Sequence, residues 1–211
     1  MSAQSALAFP QSLAEKYRPC RIADFIGLDK PRKILAKLAA QPFASAWLFV
    51  GPSGTGKTSI ALALAAEIHA ELIHIPSQHC TVAELDESLR MTQYMPMQGK
   101  KFWLVLVDEA DQMTDKAQLA LLSKLDATGM RDNTIFIFTC NATDRLESRF
   151  LSRCRVLEFS SYGLNGGLIE LLRRVWVAES NGAPEPNWKT LTAGNNVREC
   201  LHRLELELMA I

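Results

Sequence analysis

Trp47-Leu48-Phe49-Val50-Gly51-Pro52-Ser53-Gly54-Thr55-Gly56-Lys57-Thr58-Ser59 is the stretch on which the fold turns. Its first four residues are an apolar run that reads as a buried strand. The next eight fit the phosphate-cradling pattern GxxxxGK[ST] at every fixed position, and Ser59 to Glu67 continues as a helix-forming segment rich in Ala and Leu. Strand, loop and helix in that order are the context the pattern requires. The glycines let the loop curl until its backbone N–H groups point inward, and the following helix adds the partial positive charge of its N-terminus. Lys57 then reaches the β- and γ-phosphates of a nucleoside triphosphate, and the Thr58 hydroxyl is placed to hold magnesium. With glycine near 7% of average usage, a chance match in a chain of this length is on the order of one in a hundred. Gly51, Pro52, Ser53, Gly54, Thr55, Gly56, Lys57, Thr58 and Ser59 are therefore the candidate nucleotide-binding residues.

A chain of 211 residues with 48% hydrophobic content supports one full-sized domain and a small appendage. Lys plus Arg equals Asp plus Glu at 23 each, so no global field draws the protein to nucleic acid or to an anionic membrane. A local basic cluster, Lys30, Arg32, Lys33 and Lys37, reads as a solvated helix face, with phosphate contact as the alternative. Cys20, Cys80, Cys140, Cys154 and Cys200 are odd in number and widely spaced, the usage of reduced thiols inside a cell. His69, His74 and His79 recur every five residues, which scatters them around an element; they read as ordinary residues near a strand, not as metal ligands. No apolar segment approaches the ~20 residues that span a bilayer, and the start lacks a secretory pattern, so a soluble, intracellular protein is expected, cytoplasmic or nuclear.

Residues 1–12 read as a flexible tail, after which Asp29 is placed to cap a helix with Pro31 in its first turn and Ile34, Leu35 and Leu38 as its apolar stripe. Strand-like runs follow at 47–50, 72–75, 102–107, 134–139 and 155–159, mostly separated by helix-period segments, the clearest at 62–68, 82–91 and 117–125. Short runs rich in Val, Ile and Phe alternating with helices predict a parallel sheet covered on both faces. The pattern changes near Ser160-Ser161-Tyr162-Gly163. From there the chain reads as helical, with Leu168 to Val177 and Val197 to Met209 interrupted by a turn over Asn181 to Asn187, whose two prolines cannot sit inside a helix. The expected division is a core over 13–160 and an all-helical piece over 161–211.

Leu104-Val105-Leu106-Val107-Asp108-Glu109-Ala110-Asp111 is an apolar strand ending in acids, and the carboxyl edge of an open α/β sheet is where ligands sit. Asp108 is the candidate magnesium ligand and Glu109 the candidate group that polarises the attacking water; Asp111 is a candidate cap for the next helix. The strand 134–139 leads into Asn141, which either orients the same water beside the γ-phosphate or serves a turn.

These motifs together resemble the AAA+ ATPases, most closely the clamp-loader branch typified by the small subunits of replication factor C. Glu15-Lys16-Tyr17-Arg18-Pro19 and Asp24-Phe25-Ile26-Gly27 are similar to that branch's signature ahead of the phosphate loop, which in the family wraps the adenine base; the resemblance thus adds Tyr17, Arg18, Pro19, Ile26 and Gly27 to the nucleotide-binding candidates. Asp108-Glu109-Ala110-Asp111 resembles its second acidic motif, and Asn141 falls where the family keeps its first sensor. Ser152-Arg153-Cys154 resembles the motif whose arginine points at ATP bound by the neighbouring subunit, with Arg149 competing for the role four residues earlier. Asn196-Val197-Arg198 resembles the second sensor of the helical lid, with Arg203 on the same helix as its competitor. The resemblance implies an AAA+ P-loop NTPase core with a five-stranded parallel sheet flanked by helices, followed by a small all-helical lid. It further implies ATP and Mg2+ as ligands, a homo- or hetero-oligomer with ATP at subunit interfaces, DNA and a sliding clamp as partners, and no membrane.

The sequence also departs from that branch. Ala117-Gln118 and the residues through Lys124 keep the glutamine and lose both arginines of the family's paired motif, and Ile75 to Cys80 lacks the usual acidic loop. The sequence ends at Ile211, where clamp-loader subunits continue into a helical collar. Two further functions stay open at this level, a helicase loader or protein remodeller, and a nucleotide-sensing structural subunit. Lys57, Thr58, Asp108, Glu109 and Asn141 speak against the last, because all the parts needed for hydrolysis are present.

Overall fold

The computed structural model describes residues 11–76, 80–97, 99–126, 129–160, 164–193 and 196–211. In chain order the helices among them are α1 Leu13–Lys16, α2 Asp29–Ala40, α3 Lys57–Glu67, α4 Val82–Met91, α5 Asp115–Leu125, α6 Ser148–Leu151, α7 Asn165–Glu179, α8 Trp188–Leu191 and α9 Val197–Met209. The strands are β1 Ser45–Val50, β2 Glu71–Ile75, β3 Trp103–Val107, β4 Thr134–Cys140 and β5 Arg155–Glu158. They form one parallel sheet in the order β2-β3-β4-β1-β5. The five apolar runs of the sequence all become strands, with ends shifted by two residues at most.

β3 and β4 are buried along their whole length, which is why neither shows the alternation of a half-exposed strand. Their side chains still alternate between two layers. Leu104, Leu106, Ile135 and Ile137 join Leu35 of α2 with Ile60 and Leu64 of α3 in one core layer. Val105, Val107, Phe136 and Phe138 join Leu85 and Leu89 of α4 with Leu121 of α5 in the other. At roughly 1.5–3 kcal/mol for each fully buried large apolar side chain, these two layers are the main source of stability. Phe150 of α6 meets Phe138 edge to face with centroids 4.9 Å apart, which fixes the short helix that leads to Arg153.

Two expected caps are made differently. Asp29 is the first residue of α2; Leu28 occupies the cap position and makes no side-chain capping bond. Asp111 lies in a 3-10 turn over Ala110–Gln112, and α5 is capped instead by Thr114, whose hydroxyl accepts from the Ala117 N–H at 3.3 Å. Sequence spacing put an acid near each start, but the chain turns where the loop geometry allows.

By its contacts the chain divides into two compact units. One runs from Pro19 to Leu164 and contains the sheet. The other joins the segment up to Arg18 with Asn165–Ile211. Within it α9 packs on α7, α8 and α1. The Leu13 N–H donates to Glu205 at 3.0 Å, and Lys16 pairs with Glu179 at 2.7 Å, so α1 belongs with the helices and not with the sheet. Asn181 and Gly182, both at positive φ, turn the chain after α7, and the side chain of Asn187 caps α8.

Candidate active site

The phosphate loop lies between β1 and α3, and the sheet holds its start. The Gly51 N–H donates to the Cys140 carbonyl at 3.2 Å, and the Phe159 N–H donates to Val50 at 2.7 Å, so the exit of β1 is bonded to the strands on either side. A Cβ at Gly51 would sit 2.0 Å from the Phe159 carbonyl oxygen, which leaves no room for any side chain. Gly56 caps α3 at φ +90° with the Phe25 ring 3.3 Å from where its Cβ would be. This backbone path, open only to glycine, brings the loop directly into the first turn of α3. Phe25 and Leu28 thus border the loop, and Ile26, which lies between them in sequence, is half-buried. Gly27 sits at φ +65° against Leu164.

The side chains that follow converge. Lys57, only 8% exposed, donates through Nζ to the carbonyls of Gly51 at 2.6 Å and Pro52 at 2.9 Å, and to Oδ1 of Asn141 at 3.2 Å. The Thr58 hydroxyl donates to Oδ1 of Asp108 at 2.7 Å. Thr139, at the end of β4, donates to the same oxygen at 2.6 Å and accepts the Glu109 N–H at 3.1 Å. Nε2 of His74 lies 3.4 Å from Oδ2 of Asp108. Lys57, Thr58, Asp108 and Asn141 are therefore one constellation at the carboxyl edge of the sheet. Glu109 is exposed beside it with its backbone in the left-handed region at φ +51° and ψ +51°, a conformation that costs a non-glycine residue roughly 1–2 kcal/mol.

Thr139 and His74 escaped the sequence reading. Thr139 carried a signal, since it is a polar residue at the end of an otherwise apolar strand and is 2% exposed. His74 read as an ordinary residue of β2, and His79 lies outside the described residues.

Arg153 follows α6 at a different place in the sheet unit. Its Nε donates to Oδ1 of Asp126 at 2.6 Å, Nη2 lies 3.5 Å from Oδ2, and Nη1 donates to the Arg149 carbonyl at 2.8 Å. The side chain of Arg149 is exposed, with no polar partner among the described residues. Between this region and the acid edge lies Gln118 of α5, 1% exposed. Its amide donates to the Arg145 carbonyl at 3.0 Å and, at the long limit of 3.5 Å, to Met113, while Oε1 accepts the Glu147 N–H at 2.8 Å. One side chain thus ties α5 to the loop after β4 and to the start of α6.

In the helical unit Tyr17 donates to Glu179 at 2.5 Å; burial and that carboxylate push its phenol up to about 12. Arg18 ends this segment, and Pro19 is the first residue of the sheet unit. Arg198 is exposed in the first turn of α9, where the Asn196 side chain caps the helix. Arg203 is engaged elsewhere: its Nη1 donates to the carbonyls of Thr190 at 3.1 Å and Ala193 at 2.7 Å, and it pairs with Glu199. It holds the end of α8.

Cys140 and Cys154 flank Asn141 and Arg153. Burial, reinforced by Asp111, pushes the Cys140 thiol up to about 11, and burial with Cys140 nearby pushes Cys154 to about 12. Both raised values disfavour the thiolate at neutral pH. For a divalent cation the Thr58 hydroxyl and the Asp108 carboxylate are donors at this edge. Both are hard oxygen groups of the kind magnesium takes, and they already lie within hydrogen-bond distance of each other.

A parallel sheet with a glycine-lined loop running into a helix, a lysine over that loop and a threonine of that helix bonded to the aspartate just past β3 defines a P-loop nucleotide-binding fold. The chain belongs to the ATPase family associated with various cellular activities (AAA), whose model matches residues 47–162. Among curated proteins it is similar to the replication factor C small subunit of Picrophilus torridus, 33% identical over 152 residues, which are 69% of this chain and 47% of that one. It is also similar to the replication factor C small subunit of Thermofilum pendens, 32% identical over 180 residues, covering 80% and 52%. The chain spans about half the length of the curated relatives it matches. Among solved structures a RuvB variant from Thermotoga maritima superposes with a TM-score of 0.74 over 89% of this chain and 64% of that one, at 17% identity, a likeness of fold. Among the described residues no helix is long and apolar enough to cross a membrane.

Proposed function

We propose that this chain is a magnesium-dependent ATPase of the clamp-loader type. It acts inside the cell as one subunit of an oligomer in DNA replication or repair, closing on DNA and a sliding clamp when ATP binds and releasing them on hydrolysis. The observation that carries the catalytic part is the meeting of Lys57, Thr58, Asp108, Thr139 and Asn141 at one sheet edge. The likeness to replication factor C small subunits supports the choice of client.

In this reading the loop from Gly51 to Ser59 presents backbone N–H groups to the phosphates, and Lys57 neutralises the charge between the β and γ positions. Thr58 and Asp108 hold magnesium, which when bound offsets phosphate charge and orients the terminal group. Glu109 draws the proton from the attacking water, and Asn141 helps to orient the same water. Arg153 comes from the neighbouring subunit, where an arginine offered in trans is worth about 10³ to 10⁵ in rate, or about 4 to 7 kcal/mol of barrier. The resemblance to the clamp-loader branch assigns Tyr17, Arg18, Pro19, Ile26 and Gly27 to the base and Arg198 to sensing of the γ-phosphate. The engagement of Arg203 with α8 favours Arg198 for that task.

The test is the ATPase rate of the chain, alone and with primed DNA and a sliding clamp at stated salt. The proposal expects both to stimulate turnover, Glu109→Gln to bind ATP without turning it over, and Lys57→Ala to lose binding. Turnover indifferent to DNA and clamp refutes the client; normal turnover in Glu109→Gln refutes the assignment of the base.

A further inference from the structure

Arg153 is held more firmly than an arginine with a side chain 30% exposed has reason to be. Three of its five N–H groups are used on its own chain, by both oxygens of Asp126 and by the Arg149 carbonyl. The anchor is itself fixed. Asp126 ends α5 with its N–H on the Leu122 carbonyl at 3.2 Å, and its own carbonyl accepts from Gly129 at 2.8 Å and Met130 at 2.9 Å. Gly129 folds back so closely that a Cβ there would lie 1.9 Å from the Ser123 carbonyl oxygen. As a source of stability the pair counts for little, because its partners are 30% and 46% exposed and such pairs contribute about 0–1 kcal/mol. Its geometry has the better use. A carboxylate gripping the Nε edge fixes the plane of the guanidinium, and one N–H on each of Nη1 and Nη2 is left for an acceptor outside the chain.

We propose that Asp126 is a positioning residue for Arg153: it sets the guanidinium for a phosphate bound by the neighbouring subunit, so that the arginine arrives with its orientation already determined. This rests on the reading of Arg153 as the arginine given in trans. Presetting avoids ordering a long side chain at the moment of reaction, and a misplacement of about 1 Å at such a group can cost on the order of a hundredfold in rate. Asp126 also caps the end of α5, which begins just past the acid edge, so the carboxylate that holds the arginine is carried by the element that follows this subunit's proposed catalytic acids.

The experiment compares Asp126→Asn, Asp126→Glu and Arg153→Ala in steady-state ATP hydrolysis, and then mixes chains. Asp126→Asn is expected to lower kcat about tenfold with KM for ATP within about twofold, and Asp126→Glu to recover to within about threefold of the unaltered chain. Combined with Arg153→Ala, Asp126→Asn should add no further loss. In mixtures, Lys57→Ala chains, which keep Asp126 and Arg153, should restore turnover in Asp126→Asn chains as they do in Arg153→Ala chains. Lys57→Ala chains that also carry Asp126→Asn should not restore it. A defect that follows the subunit receiving the arginine, or full turnover in Asp126→Asn where Arg153→Ala is impaired, overturns the inference. Full turnover in Arg153→Ala refutes the trans arginine itself, a separate result, and the role of Asp126 falls with it.

Discussion

Thr139→Val is the most revealing single change in the sheet unit, because it removes two polar contacts without removing volume. Thr139 is 2% exposed, and its hydroxyl donates to Asp108 at 2.6 Å and accepts the Glu109 N–H at 3.1 Å. A hydrogen bond to a carboxylate contributes about 1.5–3 kcal/mol and an ordinary amide bond about 1 kcal/mol. Asp108 keeps the Thr58 hydroxyl, and water can reach exposed Glu109, so the net loss falls toward the lower end, about 2–3 kcal/mol. In a chain of this size each kcal/mol moves the melting temperature by about 2–4 °C, giving a drop of about 4–12 °C. The larger effect should be on turnover. Without its anchor the strained peptide at Glu109 relaxes, and kcat should fall about tenfold to a hundredfold while ATP affinity stays within about fivefold. Calorimetric melting, nucleotide titration and steady-state hydrolysis measure the three quantities, with Thr139→Ser as the control that keeps the hydroxyl. Unchanged melting and unchanged kcat in Thr139→Val would show that the Asp108–Thr139–Glu109 chain of bonds neither stabilises the edge nor aims the base.

Gly51→Ala should cost about 2–3 kcal/mol, since its Cβ would meet a backbone oxygen at 2.0 Å just past a strand end bonded on both sides; a melting temperature equal to the unaltered protein's would contradict this close approach. Gln118→Leu should destabilise by about 2–4 kcal/mol, because the Arg145 carbonyl and the Glu147 N–H lose their partner at a buried junction; denaturant unfolding with an unchanged midpoint would refute it. For the thiols the sign is set by their raised values. Cys80, Cys140 and Cys154 stay protonated in the folded protein until about pH 11, 11 and 12, so folding loses stability as pH rises from about 9 through those values. At pH 8 an alkylating reagent should therefore modify exposed Cys20 first, and rapid labelling of Cys140 without unfolding would be inconsistent with its burial.

The phosphate loop and the five strands could be read from sequence because each is a local pattern, a spacing of glycines or a run of apolar residues longer than chance. The partners of Asp108 could not be read that way. Asp108 and Thr139 are neighbours because β3 pairs with β4 and sets Val107 opposite Phe138, so the residues just beyond come together. Strand order is not a local property, and that register is invisible until the sheet is assembled. His74 reaches the same aspartate through the pairing of β2 with β3. Gln118 was noticed only as the glutamine retained from the family's paired motif; its burial, and its bonds to the loop after β4 and the start of α6, could not be read from sequence. Helices α1, α6 and α8 have four residues each, too few for a 3.6-residue period to register, and they exist because tertiary contacts hold them.

The left-handed backbone of Glu109 sets the position's tolerance to change against its use. Glycine or asparagine there would relieve most of the strain, so a screen that rewards thermal resistance should collect them at this position. Under the proposed mechanism the same variants lose the carboxylate that takes the proton. Libraries sorted for stability and for turnover should therefore diverge at residue 109, and comparing the two would locate a catalytic acid without any bound nucleotide.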